Sequence, residues 1–129
     1  MKIDQPNGLV TDRPNCGVVA VAATLDLDYD VVFAHFRKSK PHQWRGRLQN
    51  REVVAAVTAL GGKIKPVPAT RSLKGWAEWN TVKGGTYIVH VGDHFVAVRD
   101  QHVVDQVEAA PAAEHWAANK RVLHAWKVN

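Results

Sequence analysis

The chain has a single cysteine among its 129 residues, which excludes an internal disulfide and any zinc site built from several thiolates. It opens Met1-Lys2-Ile3-Asp4-Gln5-Pro6, without the apolar core of a secretion signal, and no apolar run approaches membrane-spanning length. A cytoplasmic protein without a membrane partner is expected. No glycine-rich phosphate loop or dinucleotide fingerprint is present, so no cofactor is expected. His35, His42, His102, His115 and His124 lack ligand spacing with one another or with a second cysteine, so no metal is expected either. Acid is missing locally: Arg37 to Arg51 holds six basic residues and no carboxylate, while the remainder carries 11 basic and 12 acidic side chains. The net charge of +5 therefore resides in one stretch. The length suits one domain over 1–129, burying roughly two-thirds of its unfolded surface.

What is present is organised around Asp12-Arg13-Pro14-Asn15-Cys16-Gly17. Val18 to Leu25 then reads as a buried helix capped by Asn15, with Cys16 in its first turn, where the free N–H groups favour a thiolate. A lone cysteine is also a common small core residue, so a partner must decide its role. Met1 to Thr11 shows no pattern and is assigned no structure. Helices are predicted from about Asp30 to Lys38, from a cap at Asn50 through Leu60, and over Leu73–Trp79 behind Ser72. Lys63 to Val67 reads as an edge strand that tolerates Pro66. From Gly84-Gly85 onward the period is that of strands: Thr86–Val91, His94–Arg99, His102–Asp105 and Arg121–Val128, with a loop and helical turn over Ala109–Lys120. Helices first and strands after predict an α+β domain, its helices packed on one side of an antiparallel sheet.

Strand parity supplies the partner. A two-residue turn at Asp100-Gln101 sets Arg99 opposite His102 and Asp105 opposite Val96, which makes Asp105 a same-face diagonal neighbour of His94. The same count at Gly92-Asp93 sends His90 to the opposite face. Cysteine on a helix N-terminus, histidine on a strand and a carboxylate on the next strand is the nucleophile, base and orienter logic of a thiol hydrolase.

Asn15-Cys16-Gly17 on a small-residue helix, with Gly92-Asp93-His94-Phe95-Val96-Ala97-Val98 and Val103-Val104-Asp105 on strands, resembles small papain-like cysteine peptidases of bacteriophages. These are similar in turn to the peptidase domain of bacteriocin-processing ABC transporters. The resemblance implies a papain-like fold, a peptide or protein substrate, and Cys16 as nucleophile, His94 as general base and acid, and Asp105 as orienter. For a phage protein it implies the host cytoplasm. It departs at Val10, where such peptidases place an oxyanion-stabilising glutamine; Gln5, Asn15 or the Cys16 N–H are candidate substitutes.

Four functions follow: an amide-cleaving hydrolase acting on peptides, a glutamine deamidase, an inactive papain-like binding module, or a basic nucleic-acid-binding domain with Cys16 in its core. Trp44, Arg45 and Arg47 are candidates for binding substrate or partner, with nucleic-acid binding expected to be weak and nonspecific. A solvated charged loop is the simpler account of the same residues. Trp76, Trp79, Trp116 and Trp126 read as core or groove-wall aromatics.

Overall fold

The computed structural model describes residues 3–11 and 14–129, so Met1, Lys2, Asp12 and Arg13 lie outside the described residues. Its elements run α1 (Cys16–Leu25), α2 (Tyr29–Arg37), α3 (Asn50–Ala59), β1 (Ile64–Val67), α4 (Leu73–Trp79), β2 (Thr86–Val91), β3 (His94–Arg99), β4 (His102–Val104), β5 (Ala109–Pro111) and β6 (Val122–Val128). The six strands form one antiparallel sheet in the order β1-β6-β2-β3-β4-β5. The α+β architecture stands as the sequence predicts.

Three helices cover one face and the fourth covers the other. Val18, Val19 and Val21 of α1, with Val32 of α2 and Val53 of α3, pack on Ile88, Phe95, Trp126 and Val128. Leu73, Trp76 and Ala77 of α4 pack on Tyr87, Val89, Val91, Val96 and Val98. One-sided helix packing is thus corrected for α4. The reason is legible in β2 and β3, which are apolar at both parities, as strands buried on both faces are. Ile88 and Val89 are neighbours facing opposite cores, both fully buried, and each contributes about 1.5–3 kcal/mol of transfer free energy.

Some local readings also change. Asn15 holds the N-cap position of α1, but its side chain caps nothing: Nδ2 donates to Val10 O at 2.6 Å and to Tyr29 Oη at 3.0 Å. Gln49, not Asn50, is the N-cap of α3, and Glu52 reaches back to the Gln49 N–H at 2.9 Å. The loop predicted over Ala109–Lys120 contains β5, whose Pro111 is tolerated because β5 is an edge strand. The N-terminal segment is ordered against the core. Ile3 is buried with Ala97 and Val104, and Asn7 O accepts the Tyr29 N–H at 2.9 Å.

Candidate active site

Cys16 is the first residue of α1 and half-buried. Its Sγ accepts the Phe95 N–H at 3.4 Å, which anchors the thiol at the start of β3, beside His94. Small residues make this approach possible. Ala20 and Ala22 are fully buried in α1, and a Cβ on Gly17 would meet Leu48 Cδ1 at 3.0 Å. The register pairs His94 with Val91 and His90 with Phe95, so the two histidines leave opposite faces. His90 stacks on Phe95 at 4.7 Å and on His124 at 5.8 Å. His94 belongs by parity to the α4 face, yet as the first residue of β3 it stands at the sheet end that α1 approaches. The sheet margin, rather than either core, brings thiol and imidazole together.

Asp105 follows β4 and is fully buried. Arg99 pairs with His102 across a turn in which Asp100 and Gln101 both take positive φ, 47° and 62°, and this register puts Asp105 beside His94. Asp105 Oδ2 lies 2.8 Å from His94 Nε2 and accepts the Trp116 indole N–H at 2.7 Å. Its Oδ1 accepts the N–H groups of Val107 and Glu108 at 2.8 and 2.9 Å, an Asx-type turn that fixes the carboxylate. His115 Nε2 lies 3.3 Å from Oδ2, near enough for electrostatic contact though misaligned for a hydrogen bond.

The electrostatics follow from these contacts. Burial opposes ionisation of Asp105, but His115, His94 and the Glu108 N–H outweigh it and hold the carboxyl well below its usual range. Burial likewise opposes protonation of His94, while hydrogen bonds to Asp105 and Cys16, and their charges, raise it from 6.5 to about 9. At neutral pH the ring is an imidazolium. Since Asp105 occupies Nε2, Nδ1 is the nitrogen left for the thiol.

A cleft of about 500 Å³ opens over the pair, lined by Cys16 and His94 together with Lys40, Arg47, Gln49 and Gln106 among others. Of the basic-segment candidates, Arg47 lines this cleft. Arg45 and Trp44 line a separate groove with Phe33 and Arg37. Trp44 stacks on Phe33 at 5.1 Å, and its indole N–H donates to Arg47 O at 2.7 Å. Arg37 donates to the carbonyls of Pro41, His42 and Trp44, and Lys40 pairs with Glu52 of α3, so two of the segment's six basic residues hold the loop in place.

The oxyanion candidates are placed elsewhere. Gln5 Nε2 donates to Asp105 O at 2.9 Å, and the Asn15 amide is held by Val10 O and Tyr29 Oη. Sequence reasoning missed His115 and Trp116 as neighbours of Asp105. Their segment is alanine-rich without a period, and only the β4–β5 pairing returns it to the site. Glu108 helps hold Trp116 by accepting its backbone N–H at 2.9 Å.

No protein-family model matches the chain, and no curated protein matches it. Its fold is similar to the peptidase domain of Streptococcus ComA, a bi-functional ABC transporter involved in quorum sensing. The TM-score is 0.56 at 13% identity, over 97% of this chain and 95% of that one. It is also similar to a double glycine motif protease from an AMS/PCAT transporter, solved in complex with the leader peptide. There the TM-score is 0.51 at 12% identity, over 98% of this chain and 91% of that one. These likenesses establish the papain-like peptidase fold. No helix among the described residues is long and apolar enough to cross a membrane.

Proposed function

We propose that the chain is a cysteine hydrolase that cleaves a peptide amide bond, with Cys16 as nucleophile, His94 as general acid and base, and Asp105 as orienter. What supports this is a buried carboxylate 2.8 Å from Nε2 of His94, whose ring lines one cleft with Cys16. The thiolate attacks the carbonyl carbon, and His94 gives its Nδ1 proton to the leaving amine as the C–N bond breaks. Water then attacks the thioester, loses its proton to His94, and releases the acid and Cys16. Asp105 holds the ring and stabilises its charged form without taking the proton. The double glycine motif protease bound to a leader peptide supports a peptide substrate.

Iodoacetamide at about pH 6.5 should label Cys16 faster than it labels glutathione, and His94→Ala should remove the excess rate. Peptide hydrolysis should disappear with Cys16→Ala. Equal labelling of the His94→Ala and unsubstituted proteins would separate the two residues and end the hydrolase assignment. One observation favours an inactive binding module as the second reading: the Gln5 and Asn15 amides are both engaged away from a substrate oxygen. In that case Cys16 would label but no peptide would be cut.

A further inference from the structure

Beyond His94 the site continues into a second groove of about 500 Å³, whose walls are Gly92, Trp116, Asn119, Lys120, Arg121 and Leu123. Trp116 sets this groove against His94, which lines the Cys16 cleft. Its ring meets His94 edge-on at 5.0 Å while its indole N–H holds Asp105, so the aromatic wall of this groove is fixed to the catalytic machinery. Both apolar walls are open to solvent, Trp116 being 45% and Leu123 46% exposed. The indole and the leucine together line one groove and so give a substrate side chain two apolar surfaces at once.

The cations give the groove its sign. Lys120 Nζ lies 5.9 Å from the centroid of the Trp116 ring, and neither Lys120 nor Arg121 has a carboxylate partner among the described residues. No acidic side chain lines the groove. Asp93, on the adjoining turn, lines the Cys16 cleft instead, and Glu108 is engaged with the Trp116 backbone. The adjoining turn passes through Gly92 at φ +59°, a left-handed backbone that favours glycine.

Chemistry fixes which end of a substrate belongs here. A general acid stands on the leaving-group side of its nucleophile, because it must reach the amine nitrogen that departs. Resting on the hydrolase reading, we infer that this groove binds the segment on the leaving side of the scissile bond. It selects an apolar residue, laid on Trp116 and Leu123, followed by acidic residues that meet Lys120 and Arg121.

The probe is a tetrapeptide amide with a free N-terminus, Leu-Glu-Glu-Gly, titrated into nitrogen-15-labelled protein while the Trp116 indole N–H resonance is followed. It should bind about tenfold more tightly than Leu-Lys-Lys-Gly. Lys120→Glu combined with Arg121→Glu should reverse that order, and Leu123→Ser should weaken both peptides while keeping it. All three side chains are exposed, so the fold survives these changes. Equal binding of the two peptides, or an acidic preference that survives the double charge reversal, overturns the groove. The titration needs no turnover. Expected binding by a protein whose hydrolysis is indifferent to Cys16→Ala would remove the hydrolase and leave a peptide site. Cys16-dependent hydrolysis without charge preference in the groove would remove the groove and leave the hydrolase.

Discussion

Around Asp105 both carboxylate oxygens are occupied, one by two backbone N–H groups and the other by His94 and the Trp116 indole, with His115 at its flank. Around Cys16 the sulfur has one backbone donor, from Phe95, and the amides of Gln5 and Asn15 point elsewhere. The two ends of the same site are therefore built to different degrees. Orientation of His94 is secured by a buried network that fills both oxygens of Asp105. On the proposed reading, stabilisation of an oxyanion falls to the N-terminus of α1, since the Gln5 and Asn15 amides are engaged elsewhere. For such a hydrolase, disturbing the Asp105 end costs most and the Cys16 end limits the rate.

Replacing the carboxylate breaks the comparison most severely. Asp105→Asn keeps an oxygen for the Val107 and Glu108 N–H groups but turns an NH₂ toward two donors, His94 and Trp116. Hydrolysis should fall about 10³–10⁴-fold, while alkylation of Cys16 changes much less. A rate within tenfold of the unsubstituted protein would show that the carboxylate does not orient the ring. Asp105→Ala should in addition cost about 3–5 kcal/mol of stability, measured by urea unfolding, because it strips a buried charge from its partners.

The next effect is a dependence on pH. His94 is raised to about 9, so its contribution is fully present below 6.5 and is lost as pH rises through 9. It amounts to roughly 2–4 kcal/mol. Asp105 is depressed, so its contribution is present above its ordinary value near 3.8 and disappears only as acid drives pH well below that. Urea midpoints compared at about pH 6 and pH 10 should fall on the alkaline side, and His94→Ala should flatten the fall. An unchanged slope in the variant would assign the alkaline loss to another group.

Trp116→Phe removes one donor and keeps a ring. A hydrogen bond to a charged group is worth about 1.5–3 kcal/mol, so kcat/KM should drop about tenfold or more, with His94 titrating higher in the proton NMR spectrum because Asp105 loses a competing donor. No change in that titration would reduce Trp116 to a wall. The smallest effect is expected from Gln5→Ala, which removes the donor to Asp105 O and should lower stability by about 0.5–1.5 kcal/mol with activity nearly intact. A loss of about a hundredfold in kcat would instead return Gln5 to the oxyanion role.

Legibility in the sequence followed the range of the interaction. The helix at Cys16, the bounds of α4 and the β2–β3–β4 meander all came from local signals: small-residue spacing, a serine cap, and two-residue turns that fix parity. Parity also placed Asp105 beside His94, since a hairpin converts residue counting into geometry. Where the pattern was weak the reading failed. Ala109–Ala110 has too little side chain to announce a strand, so β5 went unseen, and with it the return of His115 and Trp116 to the carboxylate. Asn15 illustrates the opposite error. Its type suited a cap, but Val10 O and Tyr29 Oη offered its amide buried partners that no local pattern shows.

The α+β class, the order of helices and strands, and the hairpin register that sets His94 and Asp105 side by side were legible in the residues alone, because each depends on residues within a few positions of one another. Packing of the whole chain put α4 on the far face of the sheet, Ile3 against Ala23 and Ala97, and the Gln5 amide on Asp105 O. It alone set the Cys16 thiol against the start of β3, 79 residues along the chain. Such contacts come from closing a core between elements distant in sequence. Their partners are chosen by the shape and burial of the whole, and no spacing within the chain encodes them.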